Sequence, residues 1–183
     1  MKSIFKKYWF IVVVFVIATL LRFWKLDTYP ALNADEASNA YDAYSLIQTG
    51  KDQHGNSWPI NFQSFNDYKP GLYVYLDIPF VKFMGLTPLA ARMPGAIAGV
   101  LSVLFIYLLV REIFKDERDV DLLSGLSAVF LTISPWHIHF SRGGWEVNVA
   151  TFLILGGLYF LVRFKNSKSL VSLITSVLCI VLS

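Results

Sequence analysis

A single cysteine, Cys179, excludes an internal disulfide, and its place inside an apolar run argues against a metal or catalytic role. Histidine is nearly as scarce, with three residues. His54 stands beside Gly55 with no partner at ligand spacing. His137 and His139 are two positions apart and point to different faces of a helix, so no shared metal site is expected. Charged residues make up only 16% of the chain, and the formal net charge is +3 with the basic residues scattered. That excludes the concentrated positive patch that nucleic-acid binding requires. There is no internal repeat and no low-complexity tract. What fills the chain instead is apolar: 55% hydrophobic residues and a mean hydropathy of +0.53. An ordinary soluble domain is less apolar, and the composition matches an all-α polytopic membrane protein. Aromatics are abundant, at 15 Phe, 9 Tyr and 5 Trp. Trp and Tyr favour the membrane–water boundary, where the ring is half buried and its polar tip stays wet.

A helix needs about 20 apolar residues to cross a hydrocarbon core of ~30 Å. Stretches free of Asp, Glu, Lys and Arg predict five spans: Tyr8 to Leu21, Met93 to Val110, Leu122 to Ser141, Val147 to Val162, and one beginning at Ser169. The first is short, but Lys6, Lys7, Arg22 and Lys25 can carry their charges out to the interface. The bulky, basic "RFWKLD" that follows it is a poor signal-peptidase site, which favours a retained helix over a cleaved leader. The positive-inside rule places Lys2, Lys6, Lys7, Arg111, Lys115, Arg118, Arg163, Lys165 and Lys168 on the cytoplasmic side, nine of the 16 basic residues. The N-terminus is then cytoplasmic, and the loop from Trp24 to Arg92 lies outside. "LVSLITSVLCIVLS" ends in mid-span, as expected of the front part of a longer polytopic chain.

The Trp24–Arg92 loop holds seven of the 13 acids and six of the nine tyrosines, and is long for a simple connector. Its first part, "LNADEASNAYDAYSLIQTG", reads as a helix. Ala37, Ala40, Tyr41, Tyr44 and Ile47 follow the rhythm of one apolar face. Asn33 is a natural N-cap, Glu36 completes a capping box, and Gly50 is a natural stop. The small apolar face suits a helix lying on the membrane surface. Asp35 and Glu36 then sit in the first turn, where the helix dipole favours negative charge. For Glu36 capping is the simpler role, whereas Asp35 can project outward as a poised carboxylate.

The stretch "KDQHGNSWPINFQSFNDYK" reads as an irregular loop. After it, Pro70 suits the first turn of a second surface helix, with Lys69 immediately before it and Pro79 bending or ending it. Lys69 is either an interfacial anchor or a cation for a phosphate at the membrane surface. Arg92 opens the second span, and Arg142 lies close to Glu146 between the third and fourth. Charges at a membrane boundary are costly and often functional, although an Arg there is commonly an anchor.

In order, "ADEA", "YKPGLYVYL", "ARMPGAIAG" and "SPWHIHFSRGGWEVN" follow a first span. This order resembles the N-terminal part of the GT-C superfamily of membrane glycosyltransferases. The nearest group is the dolichyl-phosphate-mannose protein mannosyltransferases, with their bacterial relatives the aminoarabinose transferases. The resemblance runs from Arg22 to about Phe164. It implies a GT-C-like helical bundle that takes a sugar from a polyprenyl-phosphate carrier to a protein, lipid or glycan hydroxyl at the outer face of the membrane. It implies a bacterial or archaeal plasma membrane, contact with membrane lipids, and no nucleic-acid partner.

By the same resemblance Asp35, supported by Glu36, is the catalytic acid pair on the acceptor side. Lys69, Arg92 and Arg142 are carrier-phosphate ligands, and Glu146 is a second acidic site. The relatives' Lys-Pro segment has a second proline that is absent from Tyr68-Lys69-Pro70-Gly71. No resident cofactor is implied, and a divalent cation is left open. Attack by a hydroxyl opposite a leaving phosphate implies inversion at the anomeric carbon. The rival readings are a transporter and a scaffold protein. Transporters place their charges near the bilayer midplane, whereas the candidates here sit at span ends.

Overall fold

The structure is a computed structural model that describes residues 2–64 and 67–183, with side chains from Trp9 onward. The lysines Lys2, Lys6 and Lys7, which carry part of the orientation argument, have side chains outside the described residues. The molecule is built from helices. The first, α1 (Lys2–Phe23), covers the predicted first span. The second predicted span lies in α4 (Pro88–Ile113), where the Thr87 hydroxyl accepts from Ala90 N and Pro88 occupies the first turn. The fourth and fifth lie in α7 (Glu146–Ser167) and α8 (Leu170–Leu182).

The third predicted span is not one helix. It is divided into α5 (Val120–Ile133) and α6 (Pro135–Ser141). Pro135 cannot donate to the helix behind it, Ser134 is extended, and the Ser134 hydroxyl caps α6 instead. At 1.5 Å per residue α5 is about 21 Å long, short of the ~30 Å core. Among the described residues, α4 and α7 are long and apolar enough to cross a membrane. The apolar helices Trp9–Phe23, Val120–Ile133 and Leu170–Leu182 are shorter. Among the described residues two helices therefore pass this test, which does not confirm the expected five spans.

Helix α4 is the centre of the bundle and packs against α1, α5, α6 and α7. Its small residues Gly95, Ala98, Gly99 and Ser102 are buried and let neighbours approach closely. A side chain at Gly99 would collide with Ser141 of α6. Val14, Ala18, Val103 and Ala128 close the core between α1, α4 and α5. Away from this core, α1 and α8 expose Val12, Val16, Leu20, Val171, Ile174 and Val181, an apolar surface of the kind lipid covers.

At one end of the bundle sit α2 (Ala34–Thr49), α3 (Leu72–Met84) and, between them, an antiparallel hairpin of β1 (Asn61–Ser64) and β2 (Asp67–Pro70). This hairpin replaces the irregular loop expected there. Phe62 pairs with Lys69 and Ser64 with Asp67, and the tip, Phe65 and Asn66, lies outside the described residues. Lys69 thus belongs to a strand, and α3 starts only after Gly71, where a side chain would strike the Ile60 carbonyl. Helix α3 continues through Pro79 to Met84.

Helix α2 has the predicted cap, box and stop, with Gly50 at φ 72°. Its buried face is rotated from the predicted one, however. Glu36, Asn39, Ala40, Asp42, Ala43 and Leu46 are buried, while Tyr41 and Tyr44 are exposed. Ala40, Ala43 and Leu46 pack with Phe62, Val74, Val81, Ala90 and Ala91, so α2 is docked on the hairpin, α3 and α4.

Candidate functional site

Glu36 is the junction of this end of the molecule. It is fully buried. Its Oε2 accepts from Asn33 N at 2.9 Å, closing the capping box. Arg92 of α4 meets it with two parallel bonds, Nε to Oε1 at 2.8 Å and Nη2 to Oε2 at 3.1 Å. Gly144 N donates to Oε1 at 2.8 Å, and the Gly144 carbonyl accepts from Asn39 at 3.0 Å. A Cβ on Gly144 would lie 2.8 Å from the Ala91 carbonyl, so this approach needs glycine. Glu36 thereby ties the N-terminus of α2 to α4 and to the turn that opens α7. Asp35 neighbours Glu36, and Glu146 follows Gly144 by two residues, so this junction sets both acids in the first turns of their helices.

The arginines have partners within the protein. Arg92 is fully buried and gives its remaining Nη1 to the Leu26 carbonyl at 2.9 Å. Arg142 donates to the carbonyls of Leu21 at 3.0 Å and Tyr29 at 2.7 Å, with longer bonds to Arg22 and Lys25. It closes the C-terminal end of α1, where carbonyls lack helical partners. Arg22, fully buried, does the same for α5 through Leu131 and Thr132, and donates to His137 Nδ1 at 2.8 Å. That bond requires the proton of neutral His137 to sit on Nε2. Arg92 and Arg142, expected as carrier-phosphate ligands, are thus both engaged within the protein. Their donors are taken up by Glu36 and by helix-end carbonyls.

Lys69 is the exception. Its Nζ is buried and has no hydrogen-bond partner, and it forms no ion pair among the described residues. Burial pushes its pKa down, while the charges of Asp35, Asp42 and Glu146 oppose that shift. The Lys69 amine thus lies within electrostatic reach of three carboxylates and bonds to none of them among the described residues. Asp35 is exposed and Glu146 half exposed, and among the described residues neither makes a hydrogen bond or ion pair. Asp42 is buried and already held by Gln53, whose N and Nε2 donate at 3.0 and 3.2 Å. Burial pushes Asp42 up. Asp42 is absent from the sequence-based candidates, yet it stands two helical turns beyond Asp35, on the same face, which is the signal that points to it.

Two cavities adjoin this group. One of about 710 Å³ lies on the neighbouring face of α2, lined by Ala34, Ala37, Ser38, Tyr41, His54 and Pro88 among others, with no acid, lysine or arginine in its wall. Ala34 and Ser38 bring it to the edge of Asp35. The second, about 320 Å³ and wholly apolar, lies between α3, α4 and α7, where Leu72, Leu76, Pro94, Ala98 and Phe152 form its walls. It begins three residues beyond Lys69. Among the described residues no group of three His, Cys, Asp or Glu side chains is placed to hold a metal ion.

A family model, dolichyl-phosphate-mannose-protein mannosyltransferase, matches residues 12–182. The chain belongs to that family. It is therefore a membrane glycosyltransferase of the mannosyltransferase type, using a polyprenyl-phosphate-linked sugar donor. No curated protein and no solved structure matches the chain. Membership gives α4 and α7 their setting, because long buried helices alone also occur in soluble cores.

Proposed function

We propose that this chain carries the acceptor base and the carrier-phosphate cation of a sugar transfer at the outer face of a membrane, with inversion at the anomeric carbon. Asp35 accepts the proton of an acceptor hydroxyl. The hydroxyl oxygen attacks the anomeric carbon, the bond to the carrier phosphate breaks, and the phosphate leaves as an anion beside Lys69. The acceptor, a protein, lipid or glycan, enters through the cavity edged by Ala34 and Ser38. The first isoprene units of the carrier lie in the apolar cavity behind Leu72. Glu146 takes the sugar hydroxyls from the other side. Arg92 and Arg142 serve the same site indirectly, by fixing α2 and the end of α1.

The observation that carries this reading is the unpartnered ammonium of Lys69 set among Asp35, Asp42 and Glu146 in a chain of this family. Arg22, Arg92 and Arg142 are bonded within the protein, which leaves the phosphate to Lys69. The test is Lys69→Ala in the protein reconstituted in lipid. Carrier affinity falls roughly tenfold or more, the scale of a lost charge-assisted contact, while acceptor affinity stays unchanged. Unchanged carrier affinity sinks the assignment.

A further inference from the structure

The hairpin carries a second polar group in the same condition as Lys69. In the β1–β2 ladder Phe62 pairs with Lys69 and Ser64 with Asp67. Paired residues share a face, and alternate residues of a strand share it too, so Phe62, Ser64, Asp67 and Lys69 project together, with Asp67 exposed and its Oδ1 accepting from Tyr68 N. The burial of β1 agrees, with Phe62 and Ser64 inward and Asn61 and Gln63 outward. Phe62 goes into the core against Tyr75. Ser64 is 5% exposed, and its Oγ has no hydrogen-bond partner among the described residues. A strand serine ordinarily finds a nearby carbonyl or water, so a buried hydroxyl left unpaired calls for an explanation. Here a second buried, unpaired group stands diagonally across the ladder. Diagonal positions are about 7–8 Å apart at the backbone, a gap that the four-carbon stem of lysine spans.

We infer that Ser64 is a second hydrogen-bond donor to the carrier phosphate. The ammonium offers only donors, and the hydroxyl offers one more on the same face. A group that satisfies both at once presents several acceptor oxygens within a few ångströms of one another, as a phosphate does. Of the substrate groups in the proposed reaction, the carrier phosphate offers several acceptor oxygens and no donor, whereas each sugar hydroxyl is also a donor. The hairpin then acts as a two-point grip, with Phe62, opposite Lys69 and two residues before Ser64, anchoring it to the core. This inference rests on the transferase reading given above.

The experiment is equilibrium binding of a short-chain polyprenyl phosphate, without sugar, to the protein in lipid nanodiscs. Wild type is compared with Ser64→Ala, Ser64→Thr and Lys69→Ala. Ser64→Ala weakens binding by about five- to tenfold, the scale of one hydrogen bond. Ser64→Thr, which keeps the hydroxyl, binds within about twofold of wild type. The melting temperature of Ser64→Ala is equal to or above that of wild type, because an unpaired buried hydroxyl has been removed. Wild-type affinity in Ser64→Ala alongside weakened Lys69→Ala overturns the role of Ser64 and leaves the transferase reading standing. Unchanged binding in Lys69→Ala overturns both. Loss in Ser64→Ala confined to the sugar-loaded carrier places the hydroxyl on the sugar and overturns the phosphate assignment.

Discussion

At the scale of single residues, the site separates charges that hold the fold from charges left free. Glu36 and Asp35 are neighbours in sequence and opposite in circumstance. Glu36 accepts from Asn33, Arg92 and Gly144 out of contact with solvent, whereas Asp35 is exposed and unengaged. Removing one partner of a buried ion pair leaves the other charge uncompensated, which costs about 3–5 kcal/mol. Glu36→Gln is therefore expected to lower the stability of the protein by roughly that amount, since Arg92 would remain buried without its countercharge. Thermal melting in detergent checks this, and Glu36→Gln with wild-type stability contradicts it. The capping box around Glu36 is legible from Asn33 and Glu36 three residues apart. Its bond to Arg92 joins residues 56 apart, and no local pattern encodes that. The free charge of Lys69 was equally hidden, because the sequence offers three boundary cations and does not say which two find carbonyls or acids.

At the scale of elements, helix ends were the most legible feature. Asn33 and Gly50 signal the ends of α2 through local chemistry, and the structure places a boundary at each, whereas α4 starts at Pro88, ahead of the span expected from Met93. The helix break at Pro135 carried the same kind of signal but was masked by an unbroken run free of charge. The hairpin was hidden because its strands are four residues each and rich in Asn, Gln, Ser and Asp, the composition of a loop. The face of α2 was misjudged because two tyrosines outweigh two alanines in an apolar pattern, while tertiary bonds from Glu36, Asn39 and Asp42 turn the alanines inward.

Helix α3 adds a second polar group that a surface-lying helix does not explain. Asp77 is fully buried with neither oxygen hydrogen-bonded, and burial, with the charge of Glu36, pushes its pKa up to about 8. In the unfolded chain its pKa is near 4. Between those values the folded state holds a proton that the unfolded state has released. Stability is therefore full below about pH 4 and falls as pH rises toward 8, by up to ~1.4 kcal/mol per pH unit. Asp77→Asn is expected to flatten that dependence and to raise the melting temperature at pH 8. Parallel pH profiles for the two proteins would refute it.

At the scale of the whole molecule, the account requires α2, α3 and the hairpin to share one side of the membrane, with the α4–α5 turn on the other. A reporter inserted after Gly50 is expected to read outside and one after Asp119 inside. The reverse pattern would put Asp35 and Lys69 on the cytoplasmic face. The organisation of that end follows from one junction. Arg92, Glu36 and Gly144 draw the first turns of α2 and α7 together, and Asp35 and Glu146 arrive with them, both within electrostatic reach of Lys69. The bundle core was readable from apolar runs, whereas this convergence depends on contacts between segments more than 50 residues apart.

The central claim is that Asp35 is the base for the acceptor hydroxyl. The most direct measurement is the single-turnover rate of sugar transfer by Asp35→Asn, with carrier affinity measured on the same sample. The rate is expected to fall by about 10²–10⁴, the usual worth of a positioned general base, with carrier affinity unchanged. A rate within twofold of wild type would contradict it.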